Sequence, residues 1–164
     1  MTGMLGSMQG KRGLIMGVAN NHSIAWGISK ALASAGAELA FTYQGEALGK
    51  RVKPLAAELG SDVVLPCDVE DLASLDGVID ALKARWGKID FIVHAIGFSD
   101  KNELKGLYAD TTRDNFTKTM VISCFSFTEI AKRAAGLMAE GGSMLTLTYG
   151  GSVRVMPNYN VMGV

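Results

Sequence analysis

Apolar residues fall along this chain in two alternating rhythms. Short runs, Gly13 to Val18, Glu38 to Tyr43, Asp62 to Pro66, Ile89 to Ile96 and Ser143 to Thr148, are too short for helices and predict strands. Between them, apolar residues recur every three or four positions: Ile24, Ile28, Ala31, Leu32 and Ala35; Leu48, Val52, Leu55 and Leu59; Leu72, Leu75, Ile79, Leu82 and Trp86. Each set forms one face of a helix, and Gly36, Gly60 and Gly87 follow as stops. A longer helical region runs from about Asp110 to Ala139 and breaks at Gly141-Gly142. The strand runs are flatly apolar rather than alternating, which means strands covered on both faces. Strand and helix alternating in this way predict an α/β fold, a doubly wound parallel sheet with helices on both faces.

Composition narrows the functional classes. The 164 residues suit about one domain, 48% are hydrophobic and only 20% charged, so the chain can bury a core. Sixteen basic residues balance sixteen acidic ones, which gives no electrostatic footprint for nucleic acid or an anionic membrane. Cys67 and Cys124 lie far apart without a CxxC, so neither a disulfide framework nor a metal site is expected, and both read as small buried hydrophobes. The opening MTGMLGSMQGKRG lacks the apolar core of a leader, and no stretch reaches the roughly 18 apolar residues of a membrane span. The expectation is a cytoplasmic protein without membrane insertion. Twenty glycines against three prolines exceed the usual glycine share of about 7% and point to local backbone tasks.

The candidate chemistry sits where strands end. The first strand-to-helix turn, Gly17-Val18-Ala19-Asn20-Asn21-His22-Ser23-Ile24-Ala25, places a helix N-terminus after a buried strand, where unpaired N–H groups suit a pyrophosphate. Gly17 permits the turn and close approach, Ala19 and Ala25 keep it compact, and Ser23 either caps the helix or donates to a phosphate. After the second strand, Gln44 can bond a ribose hydroxyl, Glu46 would repel an added phosphate, and no arginine follows immediately, which favours NADH over NADPH. Lys50, Arg51 and Lys53, farther along, read as a solvated face. Asp68 either accepts from an adenine amino group, with Val69 covering the ring, or caps the next helix. Ile96 and Gly97 follow the fourth strand beside the expected dinucleotide path, and His94 reads as a core histidine. Tyr149 and Tyr159 follow the fifth strand, where a neutral phenol can donate to a developing oxyanion; either could equally be a packing residue.

Taken together, GVANNHSIAWG, FTYQ, PCDV, HAIGF, TLTYGG and PNYNVMG resemble the bacterial NADH-dependent enoyl-[acyl-carrier-protein] reductases, divergent members of the short-chain dehydrogenase/reductase superfamily. The resemblance covers nearly the whole chain. It implies a Rossmann-like fold, NADH/NAD+ as cofactor, a homotetramer, and reduction of the trans-2 double bond of an enoyl thioester on acyl carrier protein. Tyr159 matches the enolate-stabilising donor and Tyr149 the second active-site tyrosine. Ser99 matches a position whose backbone meets substrate. Cofactor positions carried over are Gly17, Ser23, Ile24, Gln44, Asp68, Val69 and Ile96, with Ala19, Ala25 and Gly97 in support.

There are departures. Ala95 stands where many members have serine, and the family's lysine seven residues after the tyrosine would fall at position 166, beyond Val164. The expectation is therefore an NAD-binding domain over residues 1–164 that is C-terminally incomplete and inactive by itself. A non-catalytic dinucleotide-binding or dimerising piece is the competing reading. A ketoacyl reductase would need lysine at position 163, which is Gly163. Ser123, Ser126, Ala131, Ala134 and Ala135 would suit close helix contact between subunits, or packing on the sheet.

Overall fold

A computed structural model describes residues 6–164. The opening stretch read for a leader begins in residues 1–5, outside the described residues. Five parallel strands, β1 (Arg12–Met16), β2 (Glu38–Tyr43), β3 (Val63–Pro66), β4 (Phe91–His94) and β5 (Ser143–Thr146), form one sheet in the order β3-β2-β1-β4-β5. Chain order reverses between β1 and β4, and the connections leaving these two strands run to opposite faces of the sheet, which opens a crevice at their carboxyl edge. The helices α1 (Ile24–Ser34), α2 (Gly45–Glu58) and α3 (Leu72–Trp86) connect the first four strands. After α3, α4 (Arg113–Met120) and α5 (Ser126–Ala134) lead to β5, and α6 (Asn160–Gly163) ends the described chain.

The expected two-sided burial holds at the centre of the sheet. Leu14 and Met16 face one apolar cluster with Ile92, Leu75, Leu82 and Ile130, while Ile15 faces another with Phe41, Val93, Trp26 and Val52. Thus α3 and α5 cover one face, α1 and α2 the other. The last strand departs from the flat pattern. β5 alternates exposed and half-buried positions and pairs only with β4 among the described residues. The predicted strands also overrun the observed ladders by one to two residues at several ends, because flanking residues such as Val18, Ile89 and Ile96 are buried or half-buried in loops rather than paired.

The helices carry the larger corrections. Ile24, expected on the apolar face, is 69% exposed, and α1 instead buries Ala25, Trp26 and Ser29. Being the first helical residue, Ile24 projects past the sheet. Leu72 is likewise exposed at the start of α3. α3 ends as expected: Gly87 takes φ 72° and its N–H reaches the Lys83 carbonyl at 2.9 Å. The region expected as one helix from Asp110 to Ala139 is a 3-10 turn at Tyr108–Asp110, then α4, a π-helical stretch at Val121–Phe125, α5 and a 3-10 end at Ala135–Met138. The π turn shifts the outward register and exposes Cys124 and Phe125. Cys67 is buried as expected, and burial pushes its thiol up to about 11. Of the small residues, Ser126 and Ala134 turn onto the sheet side and Ala135 outward.

The β1–β4 pair is pinned at its amino end by one carboxylate. Asp90 accepts from the Arg12 N–H at 2.9 Å and from Lys11 Nζ at 2.9 Å, which holds its carboxyl below the ordinary range. Phe41, fully buried at the centre of β2, tests the core: Phe41→Ala should destabilise the protein by about 3–5 kcal/mol, whereas Ile24→Ala should be near neutral, as read from urea unfolding midpoints.

Candidate functional site

At the crevice, β1 and β4 come closer than side chains allow. The Ala95 N–H donates to the Met16 carbonyl at 3.0 Å, Gly17 takes φ 101°, and a Cβ there would overlap the Ala95 carbonyl. Gly17 is thus required by β4 as much as by any ligand. Beyond it, the loop to α1 is organised by Ser23, whose Oγ accepts from the N–H groups of Ala19 at 3.0 Å and Asn20 at 3.1 Å. Ser23 makes no side-chain cap on α1, so its expected capping role gives way to a loop-shaping one. The first-turn N–H groups keep their outward aim without a side-chain acceptor, and the helix start stays available to an anion.

A groove of about 330 Å³ runs along the carboxyl edge, lined by Gly17 and Ala19 from β1's turn, Gln44 from β2's end, Asp68 and Val69 from β3's end, and Ile96 and Gly97 from β4's end. Seven expected cofactor positions therefore converge. Gln44 Nε2 donates to Asp68 Oδ2 at 3.3 Å, so the two expected adenosine contacts form one polar rim. Asp68 does not cap α3; Asp71 does, accepting from the Ala73 N–H at 3.0 Å. Asp68 Oδ1 accepts from Glu70 N at 3.0 Å, leaving its other oxygen at the groove. Gly97 would meet only ordinary contacts if it bore a Cβ, the nearest being Met162 Cε at 3.6 Å. That brings α6 against the groove floor.

Three expected cofactor residues do not line the groove. Ser23 acts from behind the loop, Ala25 is buried in the core under α1, and Ile24 projects outward. The Ser99 hydroxyl faces away into a buried polar cluster: it bonds Asn115 at 3.4 and 3.2 Å and accepts from Thr119 Oγ1 at 3.0 Å. Only its backbone remains for a ligand. Lys118, Glu70 and Phe98 also line the groove and escaped sequence reasoning. Lys118 reaches Glu70 at 3.5 Å and lies 5.4 Å from the Phe98 ring centre. Their link joins residues 48 positions apart, which no local motif signals. Among the described residues no group of three or more His, Cys, Asp or Glu side chains could hold a metal.

Tyr149 and Tyr159 meet past the end of β5, ring centres 4.9 Å apart and planes tilted by 42°. The Tyr149 hydroxyl is occluded and has no hydrogen-bond partner among the described residues, while Tyr159 is 42% exposed. Desolvation, then the neighbouring Tyr159, raises the Tyr149 pKa, so it stays a neutral donor beyond the ordinary phenol range.

His94 anchors this end of the sheet. It is fully buried, with Nε2 2.8 Å from Ser126 Oγ and Nδ1 3.2 Å from Thr146 Oγ1. Ser126 Oγ donates to the Ile122 carbonyl at 2.7 Å, so it accepts from His94 Nε2–H. Nδ1 then accepts from Thr146. One neutral imidazole thus joins β4, β5 and the start of α5, consistent with the core role expected for it.

A scan against family models matches residues 17–164 to the model described as enoyl-(acyl carrier protein) reductase. The chain belongs to that family. It is 83% identical over 161 residues, 98% of this chain, to enoyl-[acyl-carrier-protein] reductase [NADH] 2 of Rhizobium meliloti (strain 1021). The crystal structure of FabI from Candidatus Liberibacter asiaticus superposes at TM-score 0.95 with 64% identity over 98% of this chain. The Anaplasma phagocytophilum reductase, solved in complex with NAD, superposes at TM-score 0.94 with 55% identity over 97% of this chain. The chain spans 60%, 62% and 61% of these relatives' lengths respectively. Their likeness accounts for the Rossmann-like sheet.

Burial lowers the His94 pKa, whereas an unfolded imidazole titrates near ~6.5. The stability this contributes is present above about pH 6.5 and is lost as pH falls. Melting temperature should therefore drop between about pH 7 and 5, and His94→Gln should flatten that dependence while lowering stability at neutral pH.

Proposed function

We propose that the protein reduces the trans-2 double bond of enoyl thioesters carried on acyl carrier protein, using NADH, as the last step of each fatty-acid elongation cycle. Residues 1–164 serve in this reading as its NAD-binding Rossmann-like domain. The observation that carries it is the carboxyl-edge groove that collects seven expected cofactor positions, and the tyrosine pair past the end of β5 supports it.

The residues present fit a dinucleotide. Gln44 and Asp68 offer an amide and a carboxylate to the adenosine end, Val69 and Ile96 give apolar walls, and the uncapped start of α1 offers N–H groups of Ile24 and Ala25 to the pyrophosphate. Ser23 and Ala19 hold the loop in shape, and Gly17 and Gly97 keep side chains out of the path. Absence of an arginine directly after β2, with Glu46 in the first turn of α2, supports NADH over NADPH. When bound, NADH supplies the hydride that adds to C3 of the thioester. The negative charge this would leave on the thioester oxygen would be stabilised by a hydrogen bond donated from the Tyr159 hydroxyl until C2 takes a proton drawn from solvent. Tyr149 stands beside it as a second neutral donor, and the Ser99 backbone meets the substrate.

A cytoplasmic homotetramer belongs to the same proposal. The outward face of α4, the π turn and α5 leaves Phe116, Cys124 and Phe125 exposed, which supports self-association. No helix among the described residues is long and apolar enough to cross a membrane.

The protein should consume NADH with a crotonyl thioester and not with an acetoacetyl thioester; the opposite preference would overturn the reading. Tyr159→Phe should lower kcat by about 10²–10³-fold, the scale for losing one oxyanion donor, with little change in NADH affinity.

A further inference from the structure

Tyr159 lies between two asparagines whose backbones take positive φ, 61° at Asn158 and 32° at Asn160. Residues other than glycine seldom adopt such angles, and they persist where surroundings hold them. At Asn160 the holding contact is long-range. Its side-chain Nδ2 donates to the carbonyls of Glu103 at 3.0 Å and Lys105 at 3.3 Å, residues 57 and 55 positions earlier. These carbonyls belong to the stretch between β4 and α4 that also carries Ser99.

That stretch is ordered from its other side by a chain of polar contacts. The Glu103 carboxylate accepts from both the N–H and the hydroxyl of Thr112, each at 2.9 Å. Thr112 in turn caps α4, its Oγ1 accepting from Asn115 N at 3.2 Å. Asn115, itself buried, accepts from the Asp100 N–H at 2.9 Å and bonds the Ser99 hydroxyl. One path of hydrogen bonds therefore runs from Ser99 through Asn115, Thr112 and Glu103 to Asn160, next to the tyrosine.

We propose that Asn160 is a positioning residue that couples the aim of the Tyr159 hydroxyl to the order of the loop from Ser99 to Thr112. When that loop is held, the two carbonyls stand where the Asn160 amide can bind both, and the strained backbone around Tyr159 is maintained. Among the described residues these two bonds are the hydrogen bonds by which the Asn160 side chain joins the two segments. The coupling stands on the hydrogen bonds; its catalytic consequence rests on Tyr159 being the enolate donor.

The test uses the whole enzyme, of which residues 1–164 are in this reading the NAD-binding part, with Asn160→Asp and Asn160→Gly. Aspartate keeps the size and tolerates positive φ but has no donor for the carbonyls, and glycine relieves the backbone strain while removing the amide, so it carries the test if the aspartate variant fails to fold. Two readouts are taken: amide hydrogen exchange across residues 103–112 together with the ring resonances of Tyr159, and kcat and KM for crotonyl thioester and NADH. Expected are faster exchange, a shifted Tyr159 ring signal and a kcat lower by about tenfold or more, with the NADH KM unchanged. Unchanged exchange in a folded variant, faster exchange with an unmoved Tyr159 signal and kcat, or an NADH KM that rises in step with the loss of kcat would each overturn the proposal. If the unaltered protein reduces no enoyl thioester, the functional reading fails, and exchange and ring signal alone decide the coupling.

Discussion

The closeness of Gly17 to Ala95 governs what this fold can hold. β1 and β4 are neighbours at the reversal of chain order, and their pairing continues past the ladder through the Ala95 to Met16 hydrogen bond. A side chain at position 17 would push the strands apart. Because they stay together, the loops that leave them must part immediately, one toward α1 and the other toward α4. The groove is the space between those loops. Asp90 performs the matching task at the other end of the same strand pair, where its carboxylate binds Arg12 N–H and Lys11.

Once the strand ends are fixed, Gln44 and Asp68 give the groove a polar rim with Val69 beside it. Outside the groove lining, polar groups are buried in a small number of satisfied contacts: His94 between Ser126 and Thr146, and Ser99 with Asn115 and Thr119. Against that background the Tyr149 hydroxyl is occluded and has no hydrogen-bond partner among the described residues, unlike most buried polar groups.

Periodicity along the chain made most of the fold legible. Strand runs as short as Val63 to Pro66 and glycines such as Gly87 mark their elements locally, because burial on both faces and a left-handed stop leave residue-level signatures. What escaped depended on partners distant in sequence. Whether Ser23 caps a helix or shapes the loop before it is decided by where Ala19 and Asn20 stand, and its residue type suits both. Cys124, expected to be buried because no CxxC or partner cysteine accompanies it, is exposed on a π turn that residue type does not signal. Gln44, Asp68 and Tyr159 were legible as strand-end chemistry, yet the hydrogen bond joining the first two and the amide of Asn160 beside the third bridge 24 and 57 positions, beyond any local pattern.

The central claim is that the carboxyl-edge groove, and no other concavity, takes the dinucleotide. A larger open concavity lies at the opposite, amino edge of the sheet, where Lys11, Arg12 and Lys88 could attract phosphates although Asp90, Glu38 and Glu140 already pair them. A crystal structure of the protein grown with NAD+ separates the two directly. The account predicts adenosine between Gln44, Asp68 and Val69, pyrophosphate at the start of α1 and nicotinamide toward Tyr159. Density for the dinucleotide at the amino edge beside Lys11 and Lys88 would contradict it.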